Sequence, residues 1–315
     1  MPLSATVIIP TYNRRRFLMR TLASLGHQSA PTDRYEVVVA IDGSTDDSLE
    51  FVSGLRTAYD LHAVYEENKG LAAARNLGAQ HAKNDIFIFL DDDQLATPDL
   101  VLAHVRAHER RERLFVQGCY PVDKEHLSGG ASLLYDRTYR AAMAEAGRMQ
   151  RQGKPWRIWG GNFSVPAEVW REVGGCDAVQ FRNYGCEDTD LGLRLAALGV
   201  TFQFEPEARS FHLHECSARS LARQAFQQGR AEATLARKHH AVPRSMAVPS
   251  RSKVDSVVLW AWRHGPRAMR AASAAATAGL WLADRLPSGS LQVTAARIVR
   301  KLHRARGVTE GQRRR

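Results

Sequence analysis

Residues 86–93, Ile-Phe-Ile-Phe-Leu-Asp-Asp-Asp, decide the fold class of this chain. The five apolar residues run without a polar break, which predicts a strand covered on both faces, as in a parallel sheet. Three carboxylates follow at once, those of Asp91, Asp92 and Asp93. Such close carboxylates repel one another unless a cation or several hydrogen-bond donors share the site. Their oxygen atoms suit Mg²⁺ or Mn²⁺, and the alternative is a solvated acidic turn before a helix.

The sequence before this stretch alternates between short apolar runs and helical patterns. Strands are predicted at 6–10, 35–41 and 63–65, and a helix is predicted at 72–81. Alternation at this spacing predicts an α/β fold with a doubly wound, mostly parallel sheet of Rossmann type. Ligands of such sheets bind outside the carboxyl ends of the strands, which is where the three carboxylates fall.

The sequence after this stretch is less regular. Its pattern predicts strands at 114–118 and 200–204, helices at 131–152 and 191–198, and a loop rich in Gly, Trp and Pro at 153–166. From Ser217 on, the pattern is helical and rich in Ala and Arg. We therefore expect a C-terminal helical extension beyond the α/β domain.

Charge divides the chain at the same point. The 315 residues include 44 Lys+Arg and 33 Asp+Glu, a formal net charge of +11. Residues 1–216 hold 24 of the basic and 29 of the acidic residues (net −5), whereas residues 217–315 hold 20 and 4 (net +16). This predicts a domain at 1–216 and a basic helical extension at 217–315. A uniformly basic nucleic-acid-binding protein is disfavoured.

The cysteines indicate the compartment. The four cysteines are widely spaced and form no CxxC pair, which argues against a disulfide scaffold and favours a reducing compartment. The chain runs almost at once into the first predicted strand, which does not read as a secretion signal. We therefore expect a cytoplasmic protein, with peripheral attachment to the inner face of the membrane left open.

Two further acidic positions lie at the ends of predicted elements. Asp42 directly follows the second strand, and Glu187 and Asp188 precede a predicted helix. Acidic residues in a first helical turn often interact with the helix dipole and have no other role. The Gly-rich segment at 159–164, where a backbone could approach a ligand closely, and the His-Leu-His pattern at 212–214 favour a functional site instead.

Six motifs then follow one another, in the order of a known family, over residues 4–214. They are VIIPTYNR (7–14), DGSTDDS (42–48), NKGLAAARNLGA (68–79), IFLDDDQLATP (88–98), GGNFSVP (160–166) and GCEDTDLGLRL (185–195). With the final His-x-His, this sequence resembles a family 2 glycosyltransferase with the GT-A fold. The stretch 159–195 also resembles the C-terminal half of galactosyltransferase-like relatives, whose acceptor-side loop ends in an acidic pair.

The resemblance implies roles for individual residues. On the donor side it implies nucleotide contacts from Pro10 and Tyr12, a base or ribose contact from Asp42, and further contacts from Lys69, Arg75, Asp91 and Asp92. On the metal side it implies Asp93 as direct ligand, with Asp91 and His212; His214 remains an alternative to His212. On the acceptor side it implies Asp188 as general base, with Glu187 beside it.

The reaction implied by the resemblance moves a sugar from a nucleoside-diphosphate sugar to an acceptor hydroxyl. It would require Mn²⁺ or Mg²⁺, invert the anomeric carbon in one displacement, and use a glycan, lipid-linked or small-molecule acceptor. Processive synthases of the family carry a QxxRW segment and several membrane spans. The corresponding segment here, 220–226, reads Ser-Leu-Ala-Arg-Gln-Ala-Phe. This departure favours non-processive transfer.

Other functions explain the sequence less well. A sugar nucleotidyltransferase usually has a Gly-rich phosphate loop after the first strand, where this chain has Pro-Thr-Tyr-Asn-Arg (10–14). No GxGxxG motif follows a strand, which disfavours a dehydrogenase. A non-catalytic nucleotide-sugar-binding protein would not need the intact acidic motifs. Alternating His212, His214 and Cys216 would share one face of a strand as zinc ligands, but no fourth ligand is evident.

The basic extension suggests where the enzyme would find its acceptor. Trp260 and Trp262 lie in an apolar segment, and an apolar stripe on a basic helix consists of Leu291, Ala295, Ile298 and Leu302. Neither segment reaches the ~20 apolar residues of a membrane span. Tryptophan beside arginine is typical of a helix on an anionic membrane surface, and a helical cap with a solvated basic face is the alternative.

Overall fold

The computed structural model describes residues 3–240 and 253–313, and the chain divides into two compact units. The first unit comprises Met1–Asp123, Arg140–Arg182 and Glu187–Leu213. The second unit comprises Lys124–Tyr139, Asn183–Cys186 and His214–Arg315. The helical unit thus includes two short segments that precede the extension predicted at 217–315.

Among the described residues, an eight-stranded sheet forms the framework of the first unit. Its strands are β1 (Ala5–Thr11), β2 (Tyr35–Asp42), β3 (Asp60–Glu66), β4 (Ile86–Leu90), β5 (Gln94–Ala96), β6 (Leu114–Cys119), β7 (Asn162–Pro166) and β8 (Thr201–His212). They stand in the order β3-β2-β1-β4-β7-β6-β8-β5. The pairs β1–β2, β2–β3, β1–β4 and β6–β8 are parallel, whereas β4–β7, β6–β7 and β5–β8 are antiparallel. The predicted α/β sheet is confirmed, as a mixed sheet.

Helices flank this sheet and create two separate cores. They are α1 (Arg15–Leu25), α2 (Ser48–Gly54), α3 (Leu71–His81), α4 (Leu100–His108), α6 (Ala167–Val173) and α7 (Glu187–Ala197); the chain changes unit within α5 (Gly129–Arg151). Ile8 and Phe87 pack in one core with residues of α3, α6 and α7. Val7 and Ile88, their neighbours in sequence, pack in the other core with residues of α1 and α4. Since side chains alternate along a strand, both faces are covered, which explains the unbroken apolar runs.

Three elements differ from the predictions. The predicted loop 153–166 ends in a strand, β7, because Phe163 stacks on Phe89 and Phe115 at centroid distances of 4.7 and 5.4 Å. Strand β8 continues to His212, beyond the predicted end at residue 204, because its last residues pair with β5. Helix α7 begins at Glu187, so the acidic pair lies in its first turn.

The second unit is helical. Besides the first part of α5 it contains α8 (Ala218–Lys238), α9 (Lys253–Arg263), α10 (Gly265–Ala283) and α11 (Gly289–Arg313). Glycine allows α8 and α11 to pack backbone against backbone, since a Cβ on Gly229 would lie 2.0 Å from the Arg304 carbonyl oxygen. No helix in the described part of the chain has the length and apolar character needed to cross a membrane.

The apolar face of α11 differs from the predicted stripe. Leu291 is 53% exposed, and the buried residues of this helix include Val293, Ala296, Val299 and Leu302. The buried face is therefore displaced from the predicted one, and it faces α8 and α10 residues such as Leu221 and Leu280. This displacement leaves a large apolar side chain in solvent.

Candidate active site

The acidic residues predicted from the sequence follow neighbouring strands. Strands β2, β1 and β4 lie side by side and parallel, so that their carboxyl ends share one edge of the sheet. Asp42 is the last residue of β2, and Asp91 directly follows β4. The sheet topology therefore brings Asp42 and the acidic turn 91–93 to the same edge.

Asp42 organises the loop after β3. Its carboxylate, only 4% exposed, accepts hydrogen bonds from the backbone N–H groups of Lys69 (2.7 Å) and Gly70 (3.0 Å) and from Asn68 Nδ2 (3.1 Å). Gly70 has a φ of +97°, and a Cβ there would lie 2.0 Å from the Arg182 carbonyl oxygen. The predicted base or ribose contact of Asp42 stays a prediction, and the structure adds this loop-fixing role.

Asp92 supports the acidic turn from inside. Its carboxylate accepts a hydrogen bond from Thr11 Oγ1 at 2.7 Å, and its carbonyl oxygen accepts one from Thr21 Oγ1 at 2.7 Å. Burial raises the pKa of Asp92 to about 7, because Arg14 and Thr11 compensate only part of the desolvation. Asp92 is 4% exposed, and its predicted donor contact stays a prediction.

Asp93 is held between a guanidinium and an imidazole. Its Oδ2 atom lies 2.5 Å from Arg14 Nη2 and 3.2 Å from His212 Nε2. Burial alone would raise the pKa of Asp93, but His212 and Arg14 outweigh it, and the pKa lies well below its usual range. The β5–β8 ladder sets this contact, since His212 pairs with Gln94, the residue after Asp93. The structure therefore brings the predicted metal ligands Asp93 and His212 together.

Arg75 joins the acidic turn to the acidic pair of α7. Its guanidinium is 2% exposed and contacts Asp91 Oδ1 at 3.2 Å, Glu187 Oε1 at 3.1 Å and the Gly160 carbonyl oxygen at 2.9 Å. Burial opposes the charge of Arg75, but Asp91 and Glu187 together raise its pKa. A Cβ on Gly160 would lie 2.7 Å from Arg75 Nη2, which explains the glycine there. The recorded partners of the Arg75 guanidinium are protein oxygens, and its predicted donor contact stays a prediction.

Glu187 and Asp188 differ in their surroundings. Glu187 is 6% exposed, and burial, followed by the charge of Asp188, raises its pKa against the opposing effect of Arg75. Asp188 is only partly buried, and its Oδ1 atom accepts hydrogen bonds from Thr189 N–H (2.6 Å) and Thr189 Oγ1 (3.1 Å). The hydrogen bonds to Oδ1 therefore orient the side chain, and within the described residues Oδ2 accepts no hydrogen bond.

The remaining predicted donor residues surround this edge of the sheet. Pro10 is buried in β1, and Tyr12, directly after β1, is 49% exposed. The Lys69 side chain is 60% exposed and its Nζ atom lies 3.0 Å from Glu66 Oε2. Tyr12 and Lys69 are thus open to a ligand, and their roles stay predictions.

A chain of buried polar side chains, which the sequence does not predict, leads to Gln94, the residue after Asp93. His108 and His104 both contact Ser164 Oγ at 2.8 Å, and His104 Nε2 lies 2.8 Å from Asn162 Oδ1. Asn162 Nδ2 donates to Ser210 Oγ, which donates to Gln94 Oε1 at 2.9 Å. Because Asn162 Oδ1 can only accept, His104 donates from Nε2 and accepts from Ser164 at Nδ1. The chain of donors therefore runs in one direction, from α4 to the residue after Asp93.

The structure contradicts the zinc alternative. Strand β8 ends at His212, so His212, His214 and Cys216 do not alternate along one strand. The His214 ring stacks on Tyr135 at a centroid distance of 4.2 Å, and Cys216 Sγ donates to the Ser217 carbonyl oxygen at 3.7 Å and to Gln224 Oε1 at 3.8 Å. The contact to Asp93 also favours His212 over His214 as the metal-site histidine.

The donor set around Asp93 suits a divalent cation. Asp93 Oδ2 and His212 Nε2 are 3.2 Å apart, the separation expected for adjacent ligands with metal bonds of ~2.1 Å. Carboxylates suit Mg²⁺ and Mn²⁺, and the imidazole favours a transition ion such as Mn²⁺ over Mg²⁺. Asp91, whose side chain is 33% exposed, lies two residues earlier, but among the described residues its ligand atoms do not come within 4.8 Å of both Asp93 and His212, so its part in the metal site stays a prediction.

A second group with metal-ligand chemistry lies at the opposite ends of the strands. Ligand atoms of Glu36, Asp60 and His62 lie within 4.8 Å of one another, at the amino-terminal ends of β2 and β3. Glu36 Oε1 is already satisfied by Thr6 Oγ1 at 2.6 Å and the Lys83 N–H at 2.8 Å. This group lies outside the candidate active site.

Sequence profiles of two known families match the chain. The profile described as "Glycosyl transferase family 2" matches residues 6–165, just over half of the chain. A second profile, "N-terminal domain of galactosyltransferase", matches residues 140–215. Together they cover the elements that carry the acidic turn, Arg75 and the acidic pair.

Curated relatives carry related names. The uncharacterized glycosyltransferase YfnE of Bacillus subtilis (strain 168) is 30% identical over 255 residues, covering 67% of this chain and 64% of YfnE. Validoxylamine A glucosyltransferase of Streptomyces hygroscopicus subsp. jinggangensis (strain 5008) is 31% identical over 245 residues, covering 69% of this chain and 58% of that protein. The alignments thus span 64% and 58% of the length of these relatives.

Solved structures share the fold. A mannosyltransferase from Pyrobaculum calidifontis, in complex with GDP-Man and Mn²⁺, matches with a TM-score of 0.64 at 20% identity, covering 96% of this chain and 86% of that chain. GalNAc-T7 with UDP, GalNAc and Mn²⁺ matches with a TM-score of 0.53 at 19% identity, covering 81% of this chain and 53% of that chain. At these identities the likeness concerns the fold, and it confirms the expected GT-A architecture.

Proposed function

Since this chain belongs to glycosyl transferase family 2, we propose that it catalyses inverting, metal-dependent transfer of a sugar from a nucleoside-diphosphate sugar to an acceptor hydroxyl. The observation that carries this proposal is the buried contact of Arg75 with both Asp91 and Glu187. It joins the acidic turn and the acidic pair into one site. Such a transfer needs carboxylates that hold a metal ion at the leaving diphosphate, and a carboxylate that takes the proton of the acceptor hydroxyl.

Asp93, Asp91 and His212 would hold the divalent cation, Mn²⁺ or Mg²⁺. When bound, the cation would supply positive charge to the diphosphate as it leaves. Pro10, Tyr12 and Asp42 would line the nucleotide pocket, and the exposed Lys69 would contact the diphosphate. Arg75 would act on this reaction through Asp91 and Glu187, whose carboxylates it neutralises and positions.

Asp188 would be the general base. Its Oδ1 atom is occupied by Thr189, which leaves Oδ2 to accept the proton of an acceptor hydroxyl. The acceptor oxygen then forms a bond to the anomeric carbon while the bond from that carbon to the diphosphate breaks. Attack opposite to the leaving group inverts the anomeric carbon. Glu187 beside it would remain the partner of Arg75.

The acceptor is proposed by class. A glycan, a lipid-linked sugar or a small molecule would each offer the hydroxyl, and the name of validoxylamine A glucosyltransferase adds weight to a small molecule. Non-processive transfer fits the absence of a QxxRW segment.

We propose a cytoplasmic enzyme whose helical unit attaches to an anionic membrane surface, where a lipid-linked acceptor would be met.

The test is nucleotide release from UDP-, GDP- and dTDP-sugars with Mn²⁺ or Mg²⁺, in the wild type and in Asp188→Asn. The asparagine can still accept from Thr189, so the fold and nucleotide affinity should be retained, while turnover falls about 10²- to 10⁴-fold. The exposed control Asp99→Asn should transfer at the wild-type rate. Near wild-type transfer by Asp188→Asn would remove Asp188 as base, and no donor-dependent release at all would favour a binding protein.

A further inference from the structure

Arg14 places a guanidinium at the acidic turn, a contact that the sequence does not predict. It lies between β1 and α1, and its guanidinium contacts Asp93 Oδ2 at 2.5 Å and Asp92 Oδ1 at 3.3 Å. Burial alone would lower the pKa of Arg14, but Asp93 and Asp92 outweigh this effect and raise it. A single guanidinium therefore bridges Asp93 of the proposed metal site and its buried neighbour Asp92.

The Arg14 guanidinium can move away from Asp92 and Asp93, whereas the Arg75 guanidinium is enclosed by the protein. The Arg14 side chain is 40% exposed, whereas the Arg75 side chain is 2% exposed. The Arg14 guanidinium also lies 4.7 Å from the centroid of the Phe17 ring, which is half-buried on the next helical turn. Arg14 can thus leave the two carboxylates without opening the core.

Arg14 and a divalent cation need the same oxygen atom. Asp93 Oδ2 accepts from Arg14 Nη2 and from His212 Nε2. A cation bound by Asp93 Oδ2 and His212 Nε2 would lie within a few ångströms of the guanidinium, where two positive charges repel strongly in a buried site. The metal and the present position of Arg14 are therefore mutually exclusive.

We propose that Arg14 is a resident counter-ion of the metal site, which neutralises Asp92 and Asp93 while the site is empty and must leave them before the divalent cation binds. This inference rests on the metal dependence in the proposed function. Without Arg14, repulsion between the buried carboxylates would weaken the fold of the metal-free protein and strengthen its attraction for a cation. Arg14 thus protects the empty site and lowers its metal affinity.

The experiment measures Mn²⁺ affinity by electron paramagnetic resonance of free Mn²⁺, on the full chain without nucleotide. Arg14→Gln should bind Mn²⁺ about three- to tenfold more tightly than the wild type, since a charge-assisted hydrogen bond no longer competes. Its thermal midpoint without metal should fall, and Mn²⁺ should raise that midpoint more than in the wild type. Arg20→Gln, at an exposed arginine of α1, should change neither quantity.

Equal or weaker Mn²⁺ binding by Arg14→Gln would overturn the inference while leaving the proposed function intact. A wild type that binds no Mn²⁺ or Mg²⁺ would instead overturn the metal dependence, and the inference with it. If Arg14→Gln does not fold, Arg14→Lys answers the same question, because an ammonium cannot bridge both carboxylates as the guanidinium does. Tighter Mn²⁺ binding by Arg14→Lys supports the inference, and unchanged or weaker binding overturns it.

Discussion

Arg75 is buried between two acidic motifs that lie far apart in the sequence. Asp91 and Glu187 are 16 and 112 residues away from it, yet both contact its guanidinium. A buried charge is tolerated only when it is paired and hydrogen-bonded, and here each partner depends on the other two. The consequence is a site whose geometry and charge balance share one residue.

Replacing Arg75 tests this dependence. Arg75→Met should lower the free energy of unfolding by about 3–5 kcal/mol, because it leaves the Asp91 and Glu187 carboxylates without their cation. Urea unfolding of the metal-free protein measures the loss. The exposed control Arg20→Met should stay within about 0.5 kcal/mol of the wild type. A comparable, small effect of both changes would show that the carboxylates find other partners.

The sequence predicts which residues belong to the site better than it predicts which side chains they contact. Asp91, Asp93 and His212 were expected together, and the structure brings Asp93 and His212 to 3.2 Å. Arg14 and Arg75 could not be assigned to carboxylates from the sequence. Their ion pairs depend on which strand ends become neighbours, and a single arginine carries no local signal of that.

Strand β7 and helix α4 meet through buried polar side chains. His104 is fully buried and His108 is 4% exposed, and both contact Ser164 of β7. Burial lowers the pKa of His104 to about 4 and that of His108 to about 3, from an ordinary value of 6.5. Both rings are therefore neutral in the folded protein at neutral pH and over most of the acidic range.

This network predicts acid sensitivity of the first unit. As pH falls from 6.5 towards 4, the unfolded chain takes up protons at these histidines and the folded chain does not, so the free energy of unfolding decreases. His108→Leu should cost about 1 kcal/mol at pH 7 through the lost hydrogen bond to Ser164, but should make the decrease shallower. Urea unfolding at several pH values measures both effects. An unchanged pH dependence would contradict the prediction, and the exposed control His27→Leu should keep the wild-type slope.

Elements were predictable where their residues share one environment. Strands β1, β2 and β4 are buried on both faces and apolar throughout, so the sequence predicts them almost to their ends. Strand β7 was missed because Asn162 and Ser164 are polar, and only the contact with α4 makes them suitable for a buried position. Polar residues that are buried because a distant element supplies their hydrogen bonds leave no periodic pattern in the sequence of either element.

The charge of the whole molecule resides in the helical unit. Residues 217–315 carry 20 basic and four acidic residues, and the unit exposes large apolar side chains as well. Trp281 and Leu282 at the end of α10, and Leu286 and Leu291 before and within the start of α11, are each about half exposed. Arg285 lies over the Trp281 ring at 3.2 Å. Tryptophan, leucine and arginine grouped between the end of one helix and the start of the next are typical of contact with an anionic lipid surface.

Vesicle binding tests this surface with the fold intact. The double variant Trp281→Ala/Leu286→Ala removes two half-exposed side chains, and should lower the partition onto phosphatidylglycerol-containing vesicles about tenfold, since partial burial of such side chains contributes ~1–2 kcal/mol. Co-sedimentation measures the partition.

Added salt should weaken binding of the wild type, because the attraction of the basic helices is screened. Val179→Ala, at a 90% exposed apolar residue of the first unit, should bind like the wild type. Equal binding by the double variant would show that these two side chains do not contact lipid, and equal binding of the wild type to neutral vesicles would show that charge does not drive the contact. No binding of the wild type to either kind of vesicle would mean that the helical unit serves as a solvated cap.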